Sequence, residues 1–399
     1  MIQRNEYLEN LIRFRDKQLI KVVTGIRRCG KSTLFELYQE YLQQNGIEPD
    51  QIIAFNFEDG DYTDIEDHKA LYDLVKVRLL PNKMNYIFLD EVQRVNNFQK
   101  AVDSLFIKKN CDVYITGSNA YLLSGELATL LSGRYIEIKM LPLSFKEYVS
   151  SFPEDSNIDR LYQSYIHNSS FPYTLKLTHP KDIRQYLDSI YDSIVLKDIV
   201  ARRRFPDISM LQSVVRFLFD NIGNMCSTKK IADTMTSAGR KISVHTVESY
   251  LSALTDSFIF YKIGRYDIKG KQYLKTGDKY YAADIGLRYN ALGTKKADAG
   301  HILENIVFLE LLRRGYEVYI GKVGTAEVDF IAIGAEGEEY YQVAYTVIDT
   351  DGQTLERELA SLNAINDHNP KYLLTMDHGP LTSHNGIKQI NVLDWLLKS

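Results

Sequence analysis

Apolar and polar positions along the first 150 residues follow two alternating rhythms. A short β-rich apolar run, Leu19 to Thr24 (LIKVVT), precedes Lys31 to Gln44, where Leu34, Leu37, Tyr38 and Tyr41 recur at helical spacing. The same grammar repeats: a strand over Gln51 to Phe57, a helix near Ala70 to Leu79, a strand over Tyr86 to Leu89, a helix over Phe98 to Lys108 and a strand over Asp112 to Thr116. Alternation at these lengths predicts an α/β fold for residues 1–149, a parallel sheet sandwiched by helices.

Downstream the rhythm changes. From about Phe145 to Phe205 it is helical, broken at Phe171-Pro172-Tyr173 and resumed from Ile183 to Ala201, which runs into Arg202-Arg203-Arg204. Residues 150–208 are therefore expected to form a helical linker or lid. Three helical runs follow within 209–266: Met210 to Gly223, Ser227 to Asp233, and Ser243 to Leu254, with Ser227 and Ser243 at N-cap positions. A β-rich FIFYKIGRY (Phe258 to Tyr266) then gives the element order of a winged helix-turn-helix. Residues 279–399 return to α/β: a helix over His301 to Arg314, strands over Tyr316 to Gly321, Glu327 to Ala332 and Tyr340 to Tyr345, and a helix through Glu356 to Leu362.

The composition, 45% hydrophobic and 25% charged over 399 residues, suits ordinary buried cores and two to three domains. Lys plus Arg number 48 against 52 Asp plus Glu, so overall charge excludes nucleic-acid binding driven by global attraction. Any such contact must come from a local basic patch. Three cysteines without CxxC spacing fit neither a disulfide framework nor a zinc site, and point to a reducing cytoplasm. No segment approaches 18 uninterrupted apolar residues and the N-terminus lacks an apolar signal region, so no membrane association is expected. The 28 tyrosines are scattered without a fixed period and are read mainly as packing residues.

The turn after the first strand reads Gly25-Ile26-Arg27-Arg28-Cys29-Gly30-Lys31-Ser32-Thr33, a full G-x-x-x-x-G-K-S loop. Such a loop turns its backbone N–H groups toward the phosphates of ATP, which requires glycine where a Cβ would block the approach or φ is positive. The helix beginning at Lys31 adds its own free N–H groups and the positive end of its dipole. Lys31 is the expected charge for the β- and γ-phosphates, and Ser32 the expected Mg2+ ligand. Asp90-Glu91, delivered by the strand YIFL to the carboxyl end of the sheet, supply the second element. Asp90 is expected to hold Mg2+, and Glu91 to orient or deprotonate the attacking water. At the end of the next strand, Thr116-Gly117-Ser118-Asn119 offers Ser118 or Asn119 as a sensor of the γ-phosphate. Arg134 is a candidate to stabilise transition-state charge, in cis or from a neighbouring copy, although a surface arginine is the blander reading.

The segments TGIRRCGKST, YIFLDEVQRV and YITGSNAYLLSGELATLLSGRYIEIKMLPLSFKEY resemble bacterial and archaeal AAA+-type P-loop ATPases whose ATPase domain is fused to a C-terminal region of unassigned function. The pairing of LSGR with PLSFKE (Leu131 to Glu147) is the most characteristic part. The resemblance implies an additional-strand P-loop core, the roles above for Lys31, Ser32, Asp90 and Glu91, a sensor at Ser118 or Asn119, and Arg134 as a finger.

The tail resembles the PD-(D/E)XK nuclease fold. In active members, acids at the positions of Glu304, Asp329 and the third strand collect Mg2+, and a lysine two residues beyond the third acid assists water. Here that signature falls on Gln342-Val343-Ala344, so an amide and a methyl replace the acid and the lysine, and a restriction-endonuclease-like domain without activity is expected. If the winged helix reads DNA, His245, Thr246 and Ser249 would face bases, and Lys229, Lys230, Arg240 and Lys241 would meet phosphates.

Together these patterns favour an ATPase, converting ATP and water to ADP and phosphate, that drives a conformational change in its C-terminal region. Two rivals remain: a switch or scaffold that holds ATP with little turnover and binds a protein partner, and a metal-dependent DNA nuclease. The candidate ligands are ATP and Mg2+, with double-stranded DNA through the winged helix, a protein partner, and further copies of the chain as candidate partners.

Overall fold

Parallel strands buried on both faces read as largely apolar runs, and in the first 142 residues Ile20–Thr24, Asn85–Asp90 and Cys111–Gly117 are buried almost throughout, with Lys21 and Asp112 paired inside the sheet. The computed structural model describes residues 2–123, 131–200, 203, 205, 207–293, 299–349 and 352–398. Arg202 and Arg204 of the arginine run, and residues 124–130 leading toward Arg134, lie outside the described residues. The chain divides into two compact units, Met1–Pro142 with Asp256–Phe258, and Leu143–Thr255 with Ile259–Ser399.

In the first unit, α1 (Asn5–Arg13) precedes an alternation of β1 (Ile20–Thr24), α2 (Lys31–Gln44), β2 (Ile52–Asn56), α3 (His68–Lys76), β3 (Asn85–Asp90), α4 (Phe98–Phe106), β4 (Cys111–Gly117) and β5 (Tyr135–Lys139). The sheet runs β2-β3-β4-β1-β5 with every pairing parallel. Successive side chains point to opposite faces. Ile87 and Leu89 therefore pack with Leu71 and Val75 of α3 and Val102 and Leu105 of α4. Phe88, between them, meets Phe35 and Tyr38 of α2 and stacks on Tyr114. The expected α/β alternation is the observed one, with element ends shifted by up to three residues. All strands run the same way, so the carboxyl ends of β1, β3 and β4 lie together at one end of the sheet.

The second unit begins with α5 (Phe145–Val149), α6 (Ile158–Asn168) and α7 (Pro180–Asp192). The helix expected from Ile183 to Ala201 leaves α-geometry at Ser193 and continues as a π-helix to Val200. Its wider i→i+5 turn keeps Ile194 and Ile199 on one buried face. Three helices follow, α8 (Ile208–Asp220), α9 (Thr228–Ser237) and α10 (Val244–Asp256). The Ser227 and Ser243 hydroxyls cap α9 and α10 by accepting from the N–H groups of Lys230 and Thr246.

The hairpin of β6 (Phe260–Asp267) and β7 (Gln272–Ala282) does not stand apart as a wing. It joins α11 (Ile285–Leu292), α12 (Ala299–Arg313), β8 (Glu317–Val323), β9 (Ala326–Gly334), β10 (Gly337–Ala344), α13 (Gln353–Asn363), β11 (Lys371–Thr375), β12 (Thr382–His384), β13 (Ile387–Asn391) and α14 (Val392–Leu397). One eight-stranded sheet results, ordered β12-β13-β11-β10-β9-β8-β6-β7. Residues 209–266 and 279–399, expected as separate units, thus share a sheet. The edge of β6 is covered by β8 through Arg265–Ile320, Tyr266–Gly321 and Asp267–Lys322 pairs, and Tyr266 is buried with Val328, Ile331 and Tyr340. Around this join, β8, β9 and β10 form an antiparallel meander, and β11 lies parallel to β10 after the crossover helix α13.

Candidate functional site

The loop between β1 and α2 carries its constraint in two glycines. Gly25 has φ +151°, and a Cβ there would sit 2.1 Å from the Met140 carbonyl oxygen. Gly30, the residue before α2, is left-handed at φ +105°. Between them Ile26 and Cys29 are buried, Arg28 is exposed in a left-handed conformation, and Arg27 reaches Glu58, which also receives Arg94 at 2.8 Å. Burial pushes the Cys29 thiol up, so it is a neutral packing group and not a reactive thiolate. Ser32 is exposed and Thr33 half-buried at the start of α2.

Lys31, 4% exposed, donates to the Gly25 carbonyl at 3.0 Å and the Ile26 carbonyl at 3.4 Å, and its ammonium lies 3.6 Å from Glu91. The two strand-end acids differ in their surroundings. Burial pushes the Asp90 carboxyl up, with hydrogen bonds from Ser32 and Thr116 opposing it. Burial acts the same way on Glu91, but the Lys31 ammonium, the Ser118 hydroxyl and the Gln93 amide outweigh it and hold that carboxyl below its ordinary value. Ser118 Oγ and Gln93 Nε2 each donate to Glu91 Oε2 at 2.5 Å. Thr116 joins the acids, donating its hydroxyl to Asp90 and accepting from the Glu91 N–H at 2.8 Å. Glu91 itself has φ +52°, a strained backbone for a residue with a side chain.

These residues fit a magnesium-bound nucleoside triphosphate on the evidence of their own geometry. The cradle at Gly25 and Gly30 admits no Cβ without strain, Ser32 and Asp90 form an oxygen donor pair suited to a hard cation, and Asn119 Oδ1 and Gln93 Oε1 are buried without a hydrogen-bond partner.

Arg134 is not part of this arrangement. Its carbonyl accepts from the N–H of Ile20, the first residue of β1, so it stands at the amino end of the sheet. Four residue-to-residue steps of about 3.3 Å lead from Ile20 to Thr24, placing Arg134 on the order of 13 Å along the strand from the loop. Its guanidinium pairs with Asp103 and lies over the Phe106 ring. Parallel β1 and β5 carry Arg134 into the sheet from the end opposite the loop, so of the two roles expected for it, in cis or from a neighbouring copy, this geometry gives no support to the first.

Sequence reasoning did not find Gln93, Glu58 or Arg4. Gln93 had a signal, being two residues past Glu91 in DEVQR. Arg4 had none, since its partners are far along the chain: Nη1 donates to the Cys29 carbonyl at 3.0 Å and Nη2 to the Leu141 carbonyl at 2.7 Å. The guanidinium lies over Tyr7, whose hydroxyl accepts from the Leu141 N–H. One side chain thus braces the back of the phosphate loop against the segment after β5. Arg4→Ala is expected to raise the KM for ATP several-fold with a smaller change in kcat, and to cost about 1–3 kcal/mol of stability by leaving buried carbonyls unbonded. Arg4→Lys, able to reach one carbonyl, should recover part of the KM. An Arg4→Ala enzyme losing stability with KM unchanged would deny Arg4 any role in positioning the loop.

In the second unit, Glu304 on α12, Asp329 on β9 and Gln342 on β10 are near one another. Asp329 Oδ2 accepts from the Val343 N–H at 2.8 Å, and Gln342 Oε1 accepts from the Asp329 N–H at 3.3 Å. Lys279 of β7, another residue the sequence reading missed, enters the same cluster and contacts Glu304 and Glu327 at 2.9 Å each. The residues assigned to DNA phosphates, Lys229, Lys230, Arg240 and Lys241, are all exposed, and the Arg240 guanidinium also donates to the Ser209 carbonyl and the Ser209 and Ser213 hydroxyls.

Comparison with known proteins gives the chain's relatives. Residues 17–149 match the model of the AAA domain, and residues 159–298 match a domain of unknown function, DUF8612. An uncharacterized protein of Haemophilus influenzae is 44% identical over 402 residues, covering 100% of this chain and 99% of its own length. An uncharacterized protein of Methanocaldococcus jannaschii is 31% identical over 355 residues, covering 85% of this chain and 77% of the relative. Among solved structures, a Walker-type ATPase of Pyrococcus abyssi shares the fold with a TM-score of 0.51 at 15% identity, over 73% of this chain and 96% of that one. The chain belongs to the protein family of its Haemophilus influenzae and Methanocaldococcus jannaschii relatives, and its residues 17–149 match the AAA domain model.

Proposed function

We propose that this protein binds ATP with Mg2+ and hydrolyses it, coupling the cycle to a conformational change in its C-terminal region. The observation that carries this reading is the setting of Glu91: an ionised carboxylate held by Ser118 and Gln93, beside the Ser32–Asp90 pair and against Lys31. A protein that only held nucleotide would need the loop and Lys31, but not a second acid fixed on three sides.

Lys31 leaves the Gly25 and Ile26 carbonyls for the β- and γ-phosphate oxygens, which offer it more negative charge than neutral carbonyls do. Its departure releases Glu91 from its cationic neighbour while Ser118 and Gln93 keep the carboxylate aimed. Glu91 then accepts a proton from the attacking water, and Asn119 Oδ1, otherwise without a partner, orients that water. Mg2+, when held through Ser32 and Asp90, neutralises charge developing on the phosphate oxygens. The change at Glu91, Ser118 and Asn119 is the signal that the tail would receive.

Double-stranded DNA is the partner we assign to the tail. The basis is the sequence α8, α9, α10 and the β6–β7 hairpin, with Lys229 and Lys230 exposed on α9 and the His245 side chain 92% exposed on α10. The resemblance of the α12–β8–β9–β10–α13–β11 succession to a nuclease core belongs to the same proposal. ATP turnover measured with and without double-stranded DNA across a salt series tests both halves. Turnover is expected without DNA, and stimulation by DNA is expected to fade as salt rises. A rate indifferent to DNA at every salt concentration would assign the tail to a protein partner, and no turnover under any condition would leave a binding switch.

A further inference from the structure

The acidic cluster of the second unit is closed by a cation from its own chain. Lys279, 4% exposed on β7, places its ammonium 2.9 Å from Glu304 Oε1 on α12 and 2.9 Å from Glu327 Oε1 on β9. Glu304 also accepts from the Tyr281 hydroxyl at 2.5 Å and faces His301 Nδ1 at 3.3 Å, while Gly223, whose Cβ would meet both His301 and Glu304, covers it. Two further oxygens are used inward: Asp329 Oδ2 accepts from the Val343 N–H, and Gln342 Oε1 from the Asp329 N–H and the Ser361 hydroxyl. Among the described residues, no three His, Cys, Asp or Glu side chains are arranged to hold a metal ion.

We propose that Lys279 is the resident cation of this cluster, taking the place beside Glu304, Glu327 and Asp329 that a nuclease of similar topology gives to Mg2+. The donor set does not fit a divalent ion: a hard dication needs free anionic oxygens to offset its dehydration, and here an ammonium already binds two of them. The lysine missing from β10, where Ala344 stands, is thus supplied from β7, but in a place where it neutralises the acids. Burial pushes the Glu304 carboxyl up, but the Lys279 ammonium, with His301 and Tyr281, outweighs it and holds that carboxyl below its ordinary value. The further effect of Lys279 is mechanical, because one side chain ties the hairpin to α12 and β9 and so reinforces the join that the β6–β8 pairing already makes. The proposal rests on the nuclease-like reading of the tail and not on ATP hydrolysis.

The test is titration of the full-length, nucleotide-free protein with Mn2+, followed by electron paramagnetic resonance, with Asp329→Asn as the blank for each variant. Wild type and Asp329→Asn are expected to coincide. Lys279→Met, which keeps the stem and removes the charge, is expected to gain Mn2+ affinity by about tenfold or more, and Asp329→Asn to abolish the gain. Lys279→Arg should bind no more than wild type. Mn2+ binding by wild type that Asp329→Asn removes would overturn the proposal, and this comparison requires no change at Lys279. A folded Lys279→Met protein that gains no Mn2+ would overturn it equally, as would Mn2+-dependent DNA cleavage by wild type that Asp329→Asn abolishes. No nucleotide is present, so these outcomes are separate from the ATPase reading.

Discussion

Glu91→Gln is expected to lower ATP turnover by about 10²–10³-fold while nucleotide affinity stays within a few-fold of wild type. The reason lies in what the amide keeps and loses. Its oxygen still accepts from Ser118, and the orphaned Oε1 of Gln93 can turn to accept from its nitrogen, so the geometry around residue 91 survives. The left-handed backbone at this position is no more strained for Gln than for Glu. What disappears is the basic oxygen that takes the proton. Lys31 also loses its anionic neighbour, which favours its move to phosphate. Steady-state phosphate release beside equilibrium binding of a non-hydrolysable ATP analogue checks the pair of outcomes. Turnover within threefold of wild type would show that Glu91 is not the base and would restore the binding-switch reading.

Lys31→Ala is expected to abolish measurable turnover and to weaken nucleotide binding by about 10–100-fold, the worth of a charge-assisted hydrogen bond to phosphate. The same substitution has a pH signature in the unliganded protein. Glu91 is held below its ordinary value of 4.5, so its contribution to stability is fully present above that value and is lost as pH falls through the lowered folded pKa. Lys31 is the first of the groups that lower it. The share of the stability difference between wild type and Lys31→Ala that arises from this ion pair should therefore be constant from about pH 6 to 8 and shrink below pH 4.5. Urea unfolding at several pH values measures it, with calorimetric titration of the ATP analogue giving the affinity. Undiminished affinity in Lys31→Ala would remove the loop from the nucleotide site altogether.

Much of the nucleotide site is written in consecutive residues. Gly25 and Gly30 are required by a backbone path that other residues follow at a cost in strain, and Lys31 and Ser32 are carried by the helix that the loop begins. Asp90 and Glu91 are legible because they close the apolar run of β3, which ends at Asp90 at the edge where the other strands also end. Arg134 shows where the same reasoning stops. Its sequence position between a helical run and a strand suits a finger, yet its end of the sheet depends on β5 running parallel to β1 in a register that pairs Tyr135 with Ile20. Arg240 has the same lesson at smaller scale, a free surface cation by composition and a surface donor tied to Ser209 and Ser213 in the fold.

Sequence by itself therefore determined the α/β alternation, the phosphate loop and its paired acids, because these depend on periodicity and on backbone constraints within a few residues. Only the tertiary structure decided that Gln93 and Ser118 aim Glu91, that Arg4 braces the loop from 137 residues before Leu141, and that Lys279 fills the acidic cluster beside Glu304 and Glu327. Those meetings are set by strand order, direction and register, which bring side chains from distant segments within hydrogen-bond distance and leave no mark in the spacing of residues along the chain.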